Sequence, residues 1–182
     1  IVITGGLGYI GTELCKIYSG YSWNDDITVI DKRFISERVN QLRNWNINFI
    51  QGDILDKSIV KKYCAEADVV HHLAGITDVP RTKNEASKSQ DEKIKEVGER
   101  GTQNILDVIS DNCKIIFPST HVVYEGINEI KTDIKEDEVT KPILSYSSSK
   151  AINEDQLKKS NKNYVILRLG SVYGYSTDSM RI

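Results

Sequence analysis

Short apolar runs alternate with longer amphipathic stretches along almost the whole chain. The apolar runs, rich in β-branched residues, stand at residues 1–3, 27–30, 47–50, 68–75, 114–117 and 164–167. Runs this short and continuously apolar predict strands buried on both faces, as in a parallel sheet. The stretches between them carry apolar residues at helical spacing. Leu14, Ile17 and Tyr18 follow the first run, and Ile94, Val97, Gly101, Ile105 and Val108 follow the fourth. Residues 36–44, 56–64 and 145–160 read as further helices. Much of 81–100 is Lys and Glu, a solvated helix face and loop, and 125–141 is a charged loop. Strand and helix in alternation predict right-handed βαβ crossovers. The fold class expected is α/β, a Rossmann-type doubly wound parallel sheet of two βαβαβ halves. Gly98 and Gly101 inside the long fourth helical stretch permit a close approach or a bend, at about 1 kcal/mol each against Ala.

The first turn carries the first chemistry. Ile1-Val-Ile3 runs into Thr4-Gly-Gly-Leu-Gly-Tyr-Ile-Gly11 and then a helix. Gly6, Gly8 and Gly11 fit G-x-G-x-x-G, and Gly5, Gly8 and Gly11 fit G-x-x-G-x-x-G. Strand, glycine turn and helix form the context of a dinucleotide-binding loop, with phosphate at the positive end of the helix. An ordinary flexible turn is the plain alternative. Asp31 argues against it: it ends the second apolar run, 20 residues past Gly11, where a carboxylate accepts bonds from the adenosine ribose. It also repels a 2′-phosphate, which favours NAD over NADP, although Lys32 and Arg33 soften that repulsion.

Bulk properties narrow the class. The 182 residues suit one packed domain, or one plus a fragment. With 24 basic and 26 acidic residues interspersed, net charge −2, nothing recommends nucleic acid or an anionic membrane as partner. No apolar run approaches the ~20 residues of a membrane span, and no signal peptide is evident. The expected location is cytoplasmic. Cys15, Cys64 and Cys113 are scattered and odd in number, as expected of reduced core residues rather than a disulfide framework or zinc site. A chain opening directly on its first strand without Met reads as trimmed.

Several residues fall where ligands meet such a sheet, at the carboxyl ends of its strands. Asp53 either binds the adenine amino group or caps a turn; spacing alone does not choose. His71 and His72 are neighbours on a strand, face opposite sides and so read as packing or hydrogen-bonding residues; no metal site is expected. Thr120 follows the fifth strand. Tyr146 and Lys150 share one helix face, four residues apart. A free phenol has a pKa near 10, and lowering it to ~7 takes about 4 kcal/mol of differential stabilisation. An ammonium and a nicotinamide cation together supply that, making Tyr146 a proton acceptor for a sugar hydroxyl. A Tyr and Lys at this spacing are common on surface helices. With the glycine loop, Asp31 and Thr120 in this order, the combination is specific.

These motifs resemble the extended short-chain dehydrogenase/reductase family, in its NAD-dependent nucleotide-sugar epimerase/dehydratase branch. The likeness runs through Thr4-Gly-Gly-Leu-Gly-Tyr-Ile-Gly11, Asp31, Gly52-Asp53, His72-Leu-Ala-Gly75, Gly101-Thr102 with Asn104-Ile-Leu106, Ser119-Thr120 with Val123-Tyr124, Tyr146-Ser-Ser-Ser-Lys150, and Leu167-Arg168 with Val172-Tyr-Gly174. It implies Thr120, Tyr146 and Lys150 as the catalytic residues. It implies a cofactor set of Gly5, Gly8, Tyr9, Ile10, Gly11, Asp31, Lys32, Asp53, Ile54, Leu73, Ala74 and Gly75, joined by Tyr146 and Lys150. Three positions depart from the family pattern. Val122 stands where dehydratases and decarboxylases carry a Glu, which argues against those reactions and for an epimerase acting at a sugar carbon, C4 expected. Gly98 and Ser171 each stand where an Asn is common. The resemblance also implies a C-terminal substrate domain, so residues 1–170 are expected to form the NAD-binding domain and 171–182 the start of a truncated substrate region. A homodimer through the helices at 91–110 and 145–160 is implied as well. The rivals are a sugar-nucleotide reductase or dehydrogenase and a non-catalytic dinucleotide-binding regulatory protein.

Overall fold

The computed structural model describes residues 1–21, 26–77 and 87–174. Six strands form one parallel sheet: β1 (Val2–Thr4), β2 (Thr28–Asp31), β3 (Asn48–Gln51), β4 (Val69–His72), β5 (Lys114–Thr120) and β6 (Asn163–Leu169). Their spatial order is β3-β2-β1-β4-β5-β6, the doubly wound order expected. The order reverses between β1 and β4. Side by side there, Val2 to Thr4 pair with Val70 to His72.

Alternation along the strands sorts the core into two layers. Ile3 and Val29 face α1 (Tyr9–Gly20) and α2 (Ser36–Asn44), where Leu7, Cys15, Val39 and Leu42 complete one cluster. Val2, Ile30, Val70, Ile115 and Phe117 face the other way. There α3 (Lys57–Cys64), α5 (Gly101–Leu106) and α6 (Ser145–Lys159) add Val60, Ile105, Leu106 and Leu157. Burying most of a Leu or Ile side chain is worth about 1.5–3 kcal/mol, so the two clusters fix the sheet between its helix layers. All three cysteines are free and buried, as expected. Among the described residues no helix is long and apolar enough to cross a membrane, and no group of three or more metal-ligating side chains could hold an ion.

The elements differ from expectation mainly at their ends. Helix α1 begins at Tyr9, so Gly11 lies within its first turn. Strand β4 stops at His72, and Leu73 to Gly75 form the loop beyond it. Strand β5 runs on through Pro118 to Thr120, because Pro118 to Thr120 continue the register with Leu167 to Leu169 of β6. The long helix after β4 is broken: α4 (Lys88–Lys95) and α5 are joined by a π-helical turn, Glu96–Arg100. That turn contains Gly98, one of the two glycines read as permitting a close approach or a bend. Of the charged stretch 81–100, residues 81–86 lie outside the described residues.

Candidate active site at the sheet's carboxyl edge

The glycine turn is held from several sides. Gly5 has φ +69°, and a Cβ there would stand 2.7 Å from the backbone N and Cα of Ala74. A Cβ on Gly11 would stand 2.6 Å from the Gly6 Cα, so helix α1 packs directly on the turn. Leu7, fully buried, anchors the middle: its N–H donates to Asp31 Oδ2 at 3.0 Å and its carbonyl accepts from the buried Arg38 of α2. The first helical bond of α1 runs from Thr12 N–H to the Gly8 carbonyl at 2.9 Å. The N–H groups of Tyr9, Ile10 and Gly11 therefore precede it and face outward from the positive end of a 12-residue helix. A turn that excludes side chains, with backbone donors at its rim, fits a pyrophosphate.

Asp31 is buried at the end of β2. Besides Leu7 it accepts from Arg33 N–H at 2.9 Å and from the Arg33 guanidinium, so one cation already lies against it. Lys32 pairs with Asp53 Oδ2 at 2.7 Å, while Asp53 Oδ1 accepts from Leu55 N–H at 3.0 Å. Asp53 is thus a turn carboxylate in this structure. Asp56 caps α3 by accepting from Ser58 and Ile59 N–H. Ile54 is buried against Gly101, whose Cβ would stand 2.3 Å from the Ile54 Cδ1.

The two histidines divide as expected. His71 Nε2 meets the Tyr18 hydroxyl at 2.7 Å on the α1 side. His72 lies on the other face: Nδ1 is 2.9 Å from Thr4 Oγ1 and Nε2 is 3.0 Å from Thr102 Oγ1. The Ala74 N–H also donates to Thr4 Oγ1 at 3.3 Å, so the chain of bonds fixes the loop of Leu73, Ala74 and Gly75 beside the glycine turn. Burial, and then the nearby Lys150 charge, pushes the His72 imidazole down to about 3, and it stays neutral.

Thr120 closes β5, and its Oγ1 accepts from Val122 N–H at 3.3 Å, which leaves its own O–H as a donor. Lys150, one turn along α6 from Tyr146, donates to the Pro118 carbonyl at 2.8 Å. Its ammonium lies 4.4 Å from the Phe117 ring centroid and 6.0 Å from that of Tyr146. Burial lowers the Lys150 pKa to about 8, with the Glu154 carboxylate acting the other way. Burial also raises the Tyr146 phenol above its ordinary value. By itself, then, this arrangement does not yet provide an ionised phenol, and the lysine's charge is the part already in place.

Four residues that hold the site escaped sequence reading in these roles. Glu125 Oε1 accepts from the N–H groups of Ile143 and Leu144, each at 2.7 Å, and from the Ser147 hydroxyl. It thereby caps α6 just ahead of Tyr146, from the far end of a long loop. Glu154, Arg168 and Ser119 form a second cluster behind Lys150. Only Glu154 left a local signal, being one further turn along the helix face of Tyr146 and Lys150. The π-helical turn accounts for Gly98. A Cβ there would come within 2.2 Å of Ser149 Oγ, and the Gly98 carbonyl accepts from Asn153 Nδ2 at 3.1 Å. The turn and α6 touch too closely for a side chain. Ser171 lies beyond β6 and is exposed. Past β5, a cavity of about 550 Å³ is lined by His121, Val122, Tyr124, Glu125, Ile134, Lys135, Glu136 and Arg168.

The glycine turn, the Asp31 carboxylate and Thr120, Tyr146 and Lys150 thus lie at the carboxyl ends of the strands and the adjoining helix starts. The chain belongs to the 3-beta hydroxysteroid dehydrogenase/isomerase family. The match spans residues 2–180 and lies within the extended short-chain dehydrogenases/reductases. A dTDP-D-glucose 4,6-dehydratase of Dictyostelium discoideum is 28% identical over 96% of this chain and 44% of its own length. A putative UDP-glucose 4-epimerase of Methanocaldococcus jannaschii is 29% identical over 98% of this chain and 57% of its own. The crystal structure of UDP-glucose 4-epimerase from Brucella ovis in complex with NAD superposes with a TM-score of 0.74 at 27% identity, over 92% of this chain and 50% of that one. The chain spans about half the length of the relatives it matches.

Proposed function

We propose that the full-length protein is an NAD-dependent nucleotide-sugar epimerase, inverting one sugar carbon, C4 in our reading, without net use of cofactor. The observation that carries this is the seating of Lys150 on the Pro118 carbonyl, two residues before Thr120, with Tyr146 one turn away and the glycine turn at the same edge. NAD, when bound, supplies the reversible acceptor for the hydrogen lost from the sugar carbon. The outward N–H groups of Tyr9, Ile10 and Gly11 would hold its pyrophosphate, Asp31 its adenosine ribose and Lys150 its nicotinamide ribose. The Asp31 carboxylate favours NAD over NADP.

The chain's own residues then do three things. Tyr146 takes the proton of the sugar hydroxyl and later returns it. The Lys150 charge favours the phenolate and opposes the burial that raises the phenol. Thr120 donates to the sugar oxygen and fixes its direction. Val122, at the wall of the adjoining cavity, has no proton to exchange, which supports epimerisation over loss of water or carbon dioxide. A homodimer through the faces of α4, α5 and α6 is part of this reading.

The dehydrogenase in the family's name favours one second reading, net oxidation with release of NADH. Growth of nicotinamide absorbance in step with product would select it. The primary test is Tyr146→Phe in the full-length protein. Dinucleotide binding should persist while turnover of a sugar nucleotide falls at least about a hundredfold. Turnover close to that of the parent would contradict the proposed base.

A further inference from the structure

Tyr146, Lys150, Glu154 and Lys158 stand in one column on α6, each four residues from the last. Glu154 is 1% exposed, and a carboxylate so far from water needs partners. Its Oε1 accepts from Ser119 Oγ at 2.6 Å and Arg168 Nε at 2.9 Å, and its Oε2 from Arg168 Nη2 at 2.6 Å. Lys158 Nζ lies 3.5 Å away. Ser119 is the neighbour of Thr120 on β5, and Arg168 is on β6. One buried carboxylate thus ties the helix of Tyr146 and Lys150 to the strand that ends in Thr120.

We propose that Glu154 is a positioning residue for the reaction assigned above: it fixes α6 against β5, and its negative charge one turn from Lys150 keeps that ammonium ionised in its buried seat. The inference rests on the reading of Tyr146 and Lys150 as the reacting pair. Burial would raise the Glu154 carboxyl, but the bonds from Arg168 and Ser119 and the Arg168 charge hold it below its ordinary value, so it is ionised. Among the described residues, Glu154 is the acid whose charge acts on Lys150. Phe117 and Pro118 of β5 are uncharged, and His72 of β4 is neutral because burial and Lys150 push it to about 3. Tyr146 is a neutral phenol. Arg168 and Lys158 are cations paired to Glu154 itself. On the π-helical turn, Glu96 and Arg100 pair with each other and are exposed, and the Glu99 carbonyl accepts from Gln156 of α6. Glu125 and His121, on the segment that follows β5, bond to the backbone of Leu144 and Leu169.

The test reads Lys150 directly. In the full-length protein, NMR of the lysine ε-methylenes follows its titration, the resonance assigned by its loss in Lys150→Arg. Glu154→Gln, which keeps an acceptor for Ser119, should lower the Lys150 midpoint by about one pH unit. Arg168→Gln breaks the same ion pair but leaves the carboxylate, and should move the midpoint upward. A pair that serves only to hold the fold would lower the melting temperature in both variants with no such opposite movement, and that result would overturn the inference. If Glu154→Gln does not fold, Arg168→Gln decides alone: an upward shift supports the proposal and any other result ends it. Because the readout needs no substrate, these shifts in a protein inert to sugar nucleotides would retain the Lys150–Glu154 coupling while ending the epimerase reading.

Discussion

Gly5 holds its backbone in the left-handed region, and the space its side chain would need is filled by Ala74. Two constraints act on one residue, a φ that disfavours L side chains and a contact with backbone that cannot swing aside. Gly5→Ala should therefore cost about 2 kcal/mol or more of stability by chemical denaturation, and weaken dinucleotide binding with it. A variant as stable as the parent would show the turn to be looser than described. The positions of Asp31, Tyr146 and Lys150 in the fold were legible in the sequence. Their placement follows from local spacing: the end of a strand for Asp31, one helix face for the other two. Asp53 was not, since a carboxylate after a strand serves a turn or a ligand equally well. Its Oδ1 accepts from Leu55 N–H within the turn, and its Oδ2 pairs with Lys32.

The helices are set on the sheet by contacts that sequence spacing does not encode. Gly98 was legible as a place of close approach, but its partner Ser149 is 51 residues further along the chain. Gly98→Ala should cost about 1 kcal/mol through the crowding of Ser149 Oγ. Ser149→Ala should relieve it, since the next contacts of the added methyl, Asn153 Oδ1 and Ser149 Cβ, lie at 3.5 and 3.6 Å. Denaturation of the two single variants and the double variant measures this, and purely additive losses would deny the contact. The Thr4–His72–Thr102 chain makes a different prediction at the same scale, because it joins β1, β4 and α5 through a neutral imidazole. The folded His72 pKa lies below the unfolded value of 6.5, so its neutral form contributes stability that is complete above pH 6.5. That contribution is lost as the pH falls from 6.5 toward about 3, with a slope approaching about 1.4 kcal/mol per pH unit. His72→Gln should flatten this part of the stability profile. An unchanged slope would place the acid sensitivity elsewhere.

Across the molecule, the doubly wound parallel sheet with its flanking helices followed from the alternation of apolar runs and helical stretches. The long-range ties did not: Glu125 reaches α6 across the charged loop, and Glu154 meets a strand ahead of its helix and another behind it. Such pairings depend on the folded arrangement, not on period or propensity. Together they hold α6 and the end of β5 in place, and there we propose that Thr120, Tyr146 and Lys150 invert a single sugar carbon. The direct test incubates the full-length protein with UDP-, dTDP- and CDP-hexoses deuterated at C4 and follows the products by NMR. An epimerase should return the sugar inverted at C4 with its deuterium still on that carbon and no net nicotinamide reduction. Deuterium moved to C6 with loss of water, or transferred for good to nicotinamide, would contradict the account.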